Sequence, residues 1–325
     1  MKRYERLIDK GANARNIAEA REMRQEIRQW HQENLDQIER QEKEETEKQF
    51  HSIASWLKVN DSEQQELYNA LLSEGQSYPG TCTWALKNNH VQLFFQKRPI
   101  TQALWLHGVA GSGKSVLSAA LANFAKAAGW NIIRFFCSRS YRSNNYERIL
   151  QSLFLQLLRK DSELIANVYR EYVLGKPPPS VAALEKLFHK ILMSFSSSTL
   201  QDDYICVLID GLNECDAETQ TKVVHVANLI TSNLTRSSGT ISKIFISSRA
   251  SDIISRHLRR KTKLSLTDEK CHLSQAIKEY TVQRLQALHM KLEQLHLTRG
   301  EIGDIEQSIT RKSDGILVPP ITYLT

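Results

Sequence analysis

Residues 103–115 read Ala-Leu-Trp-Leu-His-Gly-Val-Ala-Gly-Ser-Gly-Lys-Ser. The first five are a short apolar run, the signature of a buried strand. The last eight fit G-x-x-x-x-G-K-[ST] at every position. Glycines let the backbone curl so that its N–H groups point inward at an anion. A helix predicted over 115–128, with Leu117, Ala120, Leu121 and Phe124 on one face, adds its positive N-terminal end. Strand, glycine loop and helix together read as a phosphate cradle. The candidate ligand-binding residues are Gly108, Gly111, Ser112, Gly113, Lys114, Ser115 and Val116. Lys114 suits the β- and γ-phosphates, and the Ser115 hydroxyl suits Mg²⁺.

On either side of that unit, apolar runs alternate with helical patterns. Strands are predicted at 131–137, 204–210, 242–247 and 263–266. Helices are predicted at 146–160, 181–195, 217–231, 272–298 and 301–313. Strands that are apolar throughout and separated by helices indicate a parallel sheet covered on both faces. The predicted fold class is therefore α/β: a P-loop NTPase with a parallel sheet flanked by helices, preceded by a long helical arm and followed by a short helical region.

Tyr204–Ile209 leads straight to Asp210, 96 residues after Lys114. A carboxylate at the end of a neighbouring buried strand is what a P-loop uses to order Mg²⁺, so Asp210 and Ser115 are the candidate metal ligands. Glu214, four residues on, has the chemistry of a general base. The alternative is that Asp210 and Glu214 are ordinary loop acids, with Asp216 capping the next helix. Arg249 ends the run Lys243-Ile244-Phe245-Ile246-Ser247-Ser248. It either meets a terminal phosphate, making Lys114, Glu214 and Arg249 the candidate catalytic set, or begins a basic patch.

That patch spans 242–263 and holds Lys243, Arg249, Arg256, Arg259, Arg260, Lys261 and Lys263 against Asp252 alone. It accounts for much of the net charge of +7. No aromatic residue at 250–263 offers a base-stacking platform, so nucleic acid is not the expected partner. The 325 residues leave room for about two domains. At 41% hydrophobic and 24% charged the chain is globular in composition. No apolar run approaches the roughly 20 residues of a membrane span, and the N-terminus lacks a secretory h-region. Five scattered cysteines at 82, 137, 206, 215 and 271 fit neither a disulfide framework nor a zinc spacing. The expected setting is the cytoplasm, with reduced thiols.

Residues 13–49 read as one helix whose apolar positions (Ile17, Ala20, Met23, Ile27, Trp30, Leu35, Ile38) recur mostly at three- and four-residue steps. Phe50, Ile53, Ala54 and Leu57 continue it as a docking face. The arm is either a solvated spacer or a surface for self-association or a partner protein, with a coiled coil as one form. Residues 73–81 are turn-rich around Pro79-Gly80 and place a domain boundary nearby. The expected organisation is a helical arm at 1–60, a helical linker with a Pro-Gly turn at 61–100, a P-loop core at 101–266 and a helical extension at 267–325. Arginines at 139, 142 and 148 keep a small-molecule kinase in view.

Taken together, GVAGSGKS at 108–115, VLIDGLNEC at 207–215 and IFISSRA at 244–250 resemble a NACHT-type STAND NTPase. YPGTCTWAL at 78–86 looks like the segment before this module in fungal NLR-like and nephrocystin-3-like proteins. KSDGILVPPITYLT at 312–325 looks like its helical close. The resemblance implies a five-stranded parallel ATPase core that binds ATP or ADP with Mg²⁺, hydrolyses ATP slowly and couples the nucleotide to assembly. It implies Walker A roles for Lys114 and Ser115, a Walker B role for Asp210, the catalytic acid at Glu214 and a sensor at Arg249. Asn213 stands where the family usually has Asp, and Ala250 where it has Pro. The winged-helix domain and repeats that normally follow are not in this sequence, so the chain is expected to be a truncated module. Pro319-Pro320 is expected to break its last helix. A nucleotide-bound scaffold without turnover is the alternative function.

Overall fold

The computed structural model describes residues 2–96, 101–138, 145–194, 204–232, 241–288 and 299–312. They form two compact units. The first holds the chain up to Ser55 together with 162–176. The second holds Trp56–Asp161 and the described residues from Pro177 onward.

Helix α1 (Lys2–Leu57), which lies in the first unit as far as Ser55, includes the predicted 13–49 helix and extends it at both ends. Phe50 and Ile53 are buried, as the docking face requires, whereas Met23, Trp30, Leu35 and Ile38 are each more than half exposed. A short helix, α7 (Ser162–Val168), has no counterpart in the sequence reading. It buries Ile165 and Val168 and runs into a wide turn at Tyr169–Val173.

The second unit is built on five parallel strands: β1 (Ala103–His107), β2 (Asn131–Phe136), β3 (Tyr204–Asp210), β4 (Ile241–Ser248) and β5 (Thr262–Ser265). Their order is β2-β3-β4-β1-β5. All seven residues of β3 are buried, as an apolar run covered on both faces must be. The strand carrying Asp210 is not the neighbour of β1: β4 stands between them, with Trp105 opposite Ile246 and Leu208 opposite Phe245. The chain leaves β1 toward β2 on one side and leaves β4 toward β5 on the other. The carboxyl ends of β1 and β4 therefore flank the point where the winding reverses, the place where such sheets take ligands.

The predicted 61–100 linker forms three helices, α2 (Ser62–Ser77), α3 (Thr83–Lys87) and α4 (Asn89–Phe95). They pack on the core of the sheet through Tyr68, Ala85, Val91 and Phe94. Helix α5 (Lys114–Ala127) buries Leu117, Leu121 and Ala125 against Leu104, Leu106, Leu208 and Phe245. Phe124, expected on that face, is 41% exposed and meets the edge of Phe95 instead. Helix α6 (Tyr146–Leu158) stops two residues short of its expected end. Helices α8 (Val181–Ser194) and α9 (Ala217–Ser232) match their sequence patterns to within a residue, and α10 (Asp252–Leu258) is additional. The helix expected at 272–298 runs from Lys270 to Ala287 (α11), and α12 (Arg299–Lys312) is the last described. Residues 289–298 and the 313–325 tail, with its predicted proline break, lie outside the described residues.

The free edge of β2 is closed by two side-chain amides. Gln64 donates to the Phe136 carbonyl at 3.1 Å and accepts the Phe136 N–H at 2.7 Å. Gln156 does the same for Arg134, at 2.8 and 2.9 Å. Each amide imitates one residue of a missing strand, which stops the edge from templating another chain.

Lys243 corrects the basic patch. It has no exposed surface at all. Its ammonium donates to the carbonyls of Phe94 at 2.5 Å and Gln96 at 2.8 Å and sits over the rings of Phe94 and Trp130. Burial lowers its pKa to about 8. Lys261 is also drawn inward, donating to the Thr231 hydroxyl. Arg256, Arg259, Arg260 and Lys263 remain exposed.

Candidate functional site

The glycine loop joins the end of β1 to the start of α5. Gly111 and Gly113 have φ of 73° and 79°, a region that costs residues with a Cβ dearly. That is why glycines recur at this spacing. Ser112 is buried and donates to the Val109 carbonyl at 2.9 Å, tightening the turn. The Lys114 ammonium lies across the same loop, 2.5 Å from the Val109 carbonyl and 3.3 Å from the Ser112 hydroxyl. Burial, helped by the Arg249 charge, lowers its pKa to about 8, against the pull of Asp210 and Glu214. All three predicted charges therefore act on this one ammonium.

Asp210 ends β3 and is 2% exposed. The Ser118 hydroxyl on α5 donates to its Oδ1 at 2.8 Å. Burial raises its pKa, while the hydroxyls of Ser115, Ser247 and Ser118 and the charge of Lys114 oppose the rise. The Ser115 hydroxyl, in the first turn of α5, thus lies close enough to Asp210 to act on its carboxyl. Two hard oxygens there suit a small divalent cation.

A short turn, Leu212–Glu214, follows β3. Its Asn213 Oδ1 accepts the main-chain N–H of Arg249 at 2.7 Å. The Arg249 guanidinium lies 4.0 Å from Glu214 Oε1. Asp216 accepts the Thr219 N–H at 2.7 Å, so this acid caps the next helix, as the alternative reading of the loop acids expects of it. Arg148 is engaged by Glu63 at 3.9 Å and by the Lys58 carbonyl; positions 139 and 142 lie outside the described residues.

Beside the loop opens a largely apolar slot lined by Tyr78, Cys82, Trp84, Ser112, Val116 and Tyr280. Tyr78 and Tyr280 meet edge to face at 4.5 Å, and Trp84 stacks on His272. Arg284 and Gln283 of α11 donate to the Tyr78 hydroxyl at 2.7 Å and the Pro79 carbonyl at 3.0 Å. The turn-rich stretch at 73–81 reads from sequence as a domain boundary, and none of these lining aromatics stands out as a site residue. Their clustering around Pro79-Gly80 is the available signal. What it lacks is the partner, a helix some 200 residues away.

The sequence profile described as "Nephrocystin 3, N-terminal" matches residues 80–249, just over half of the chain. The chain belongs to this family. The nephrocystin 3 N-terminal match takes in the glycine loop, Asp210, Glu214 and Arg249, and ends before α11. No curated protein matches the chain. Among solved structures, the chain is similar to the Aeropyrum pernix ORC2 protein, described in ADPNP–ADP complexes: TM-score 0.34, 15% identity, 60% of this chain and 49% of that one. It is also similar to Drosophila ORC bound to DNA, at 0.29 and 12%, covering 67% of this chain and 47% of that one. The chain spans about half the length of either. At these scores the likeness carries neither activity nor partner. Among the described residues, no helix is long and apolar enough to cross a membrane.

Proposed function

We propose that the chain is a nucleotide-binding switch of the NACHT/STAND kind, taking ATP or ADP with Mg²⁺ and hydrolysing ATP slowly. The observation that carries this is the glycine loop with Lys114 lying across it and the buried Asp210 acting on that ammonium. The loop N–H groups and the start of α5 bind the phosphates. Lys114 lies on the β- and γ-phosphates. Ser115 and Asp210 would hold Mg²⁺, which would supply positive charge to the phosphates. The aromatic slot takes the base, since a flat apolar cleft directly beside Gly113 suits a stacked ring. Glu214 takes the proton of the attacking water, and Arg249 meets the terminal phosphate. The exposed apolar positions of α1 are the surface for self-association.

The test is a single-turnover reaction with protein in excess over labelled ATP and Mg²⁺, run beside Glu214→Gln. ADP forming in the wild type and not in the variant supports hydrolysis through Glu214. The Arg249–Glu214 pair favours a second reading, a nucleotide-holding scaffold, because a base held by a cation is a weaker base. ATP retained uncleaved in both proteins selects that reading.

A further inference from the structure

Asn213 is where two parts of the site are tied together. Arg249 follows β4 and Glu214 ends the turn after β3, 35 residues apart in sequence. Only one oxygen of the Asn213 amide can accept a hydrogen bond, and it takes the Arg249 main-chain N–H at 2.7 Å. That bond holds the residue from which the guanidinium projects. The guanidinium then reaches Glu214 Oε1 at 4.0 Å, and both charges act on Lys114. Asparagine keeps the acceptor oxygen that aspartate would supply and drops the charge. The acid cluster is smaller, but the tether is intact.

We infer that Asn213 is a positioning residue that holds Arg249 against Glu214, so that a terminal phosphate arriving at the loop takes Arg249 from Glu214. The tether makes the site sensitive to the third phosphate. Without that phosphate, Arg249 pairs with Glu214. With it, the guanidinium turns to the phosphate oxygens, a stronger charge-assisted partner, and Glu214 is left to accept a proton from water. The inference rests on the P-loop reading above and adds the regulation of that site.

Calorimetric titration of the full chain with Mg²⁺-ADP and with Mg²⁺-ATPγS tests it. In Asn213→Ala the ratio of ADP to ATPγS dissociation constants falls about tenfold, or about 1.4 kcal/mol. ADP affinity stays within about twofold, because ADP does not reach Arg249; this also reports that the variant is folded. Asn213→Asp, which keeps the acceptor, retains the wild-type ratio. An unchanged ratio in Asn213→Ala overturns the inference, as does an equal loss of both affinities or an Asp variant as impaired as the Ala one. Lys114→Ala separates the two levels. If it leaves both affinities unchanged, or if the wild type binds neither nucleotide, the P-loop reading falls and this inference falls with it.

Discussion

Two charges are buried in neighbouring strands of the sheet, and they are satisfied in opposite ways. Lys243, in β4, donates to the main-chain carbonyls of Phe94 and Gln96 and lies between aromatic rings. Its partners belong to the fold, and its role is to fasten the end of α4 to the sheet. Asp210, at the end of β3, is met by a hydroxyl from α5 and faces the loop that carries Lys114. Its neighbours are short hydroxyls and a long-stemmed ammonium, groups that a cation and a phosphate can recruit. Burial alone therefore does not mark a functional charge. The identity of the partners does: fixed carbonyls for the structural ion, exchangeable hydroxyls for the candidate ligand.

The comparison breaks first at the loop. Lys114→Ala removes the ammonium that lies across it, on the Val109 carbonyl and the Ser112 hydroxyl. Nucleotide affinity is expected to fall roughly 100-fold, the loss of two charged hydrogen bonds, while the melting temperature hardly moves. Lys243→Met has the reverse profile. It leaves the buried Phe94 carbonyl unpaired and costs roughly 1–3 kcal/mol in urea unfolding, with nucleotide affinity preserved. If Lys243→Met abolishes binding and leaves stability untouched, the division of roles is wrong.

The pH dependence sharpens it. Lys114 and Lys243 both titrate at about 8 in the fold, against 10.5 ordinarily. Between those values the unfolded chain holds protons that the native state has already released, so stability rises with pH over 8 to 10.5. Lys243→Met flattens part of that rise. Affinity for phosphate moves the other way, since neutral Lys114 binds poorly: it weakens above pH 8 by at most about tenfold per unit.

The smallest effect is expected at the sheet edge. Gln64→Ala or Gln156→Ala exposes one residue's N–H and C=O on β2. Each should cost roughly 1 kcal/mol and increase aggregation on heating, measured by light scattering, with nucleotide affinity unchanged.

The glycine loop is legible in the sequence because its chemistry is local. Gly111 and Gly113 are needed for positive φ, and Lys114 is the next residue along the same chain. The strands are legible because a sheet covered on both faces requires continuous apolar runs, and β3 is buried at every position. Lys243 reads wrongly as a surface charge because an isolated lysine beside Ile244 and Phe245 carries no mark of where its carbonyl partners lie, and they are 147 and 149 residues away. The glutamines that close β2 look like any surface glutamines.

Residue spacing thus settles whatever depends on one turn of backbone: the glycine loop, the helix behind it, the acid at the end of an apolar strand. It is silent on strand order, because parallel neighbours are joined by crossovers of any length. The insertion of β4 between β1 and β3 is a fact of packing alone. That packing brings Asn213 to Arg249, Arg249 to Glu214, and the aromatic turn at Tyr78 to α11, encounters between distant residues that no local spacing records.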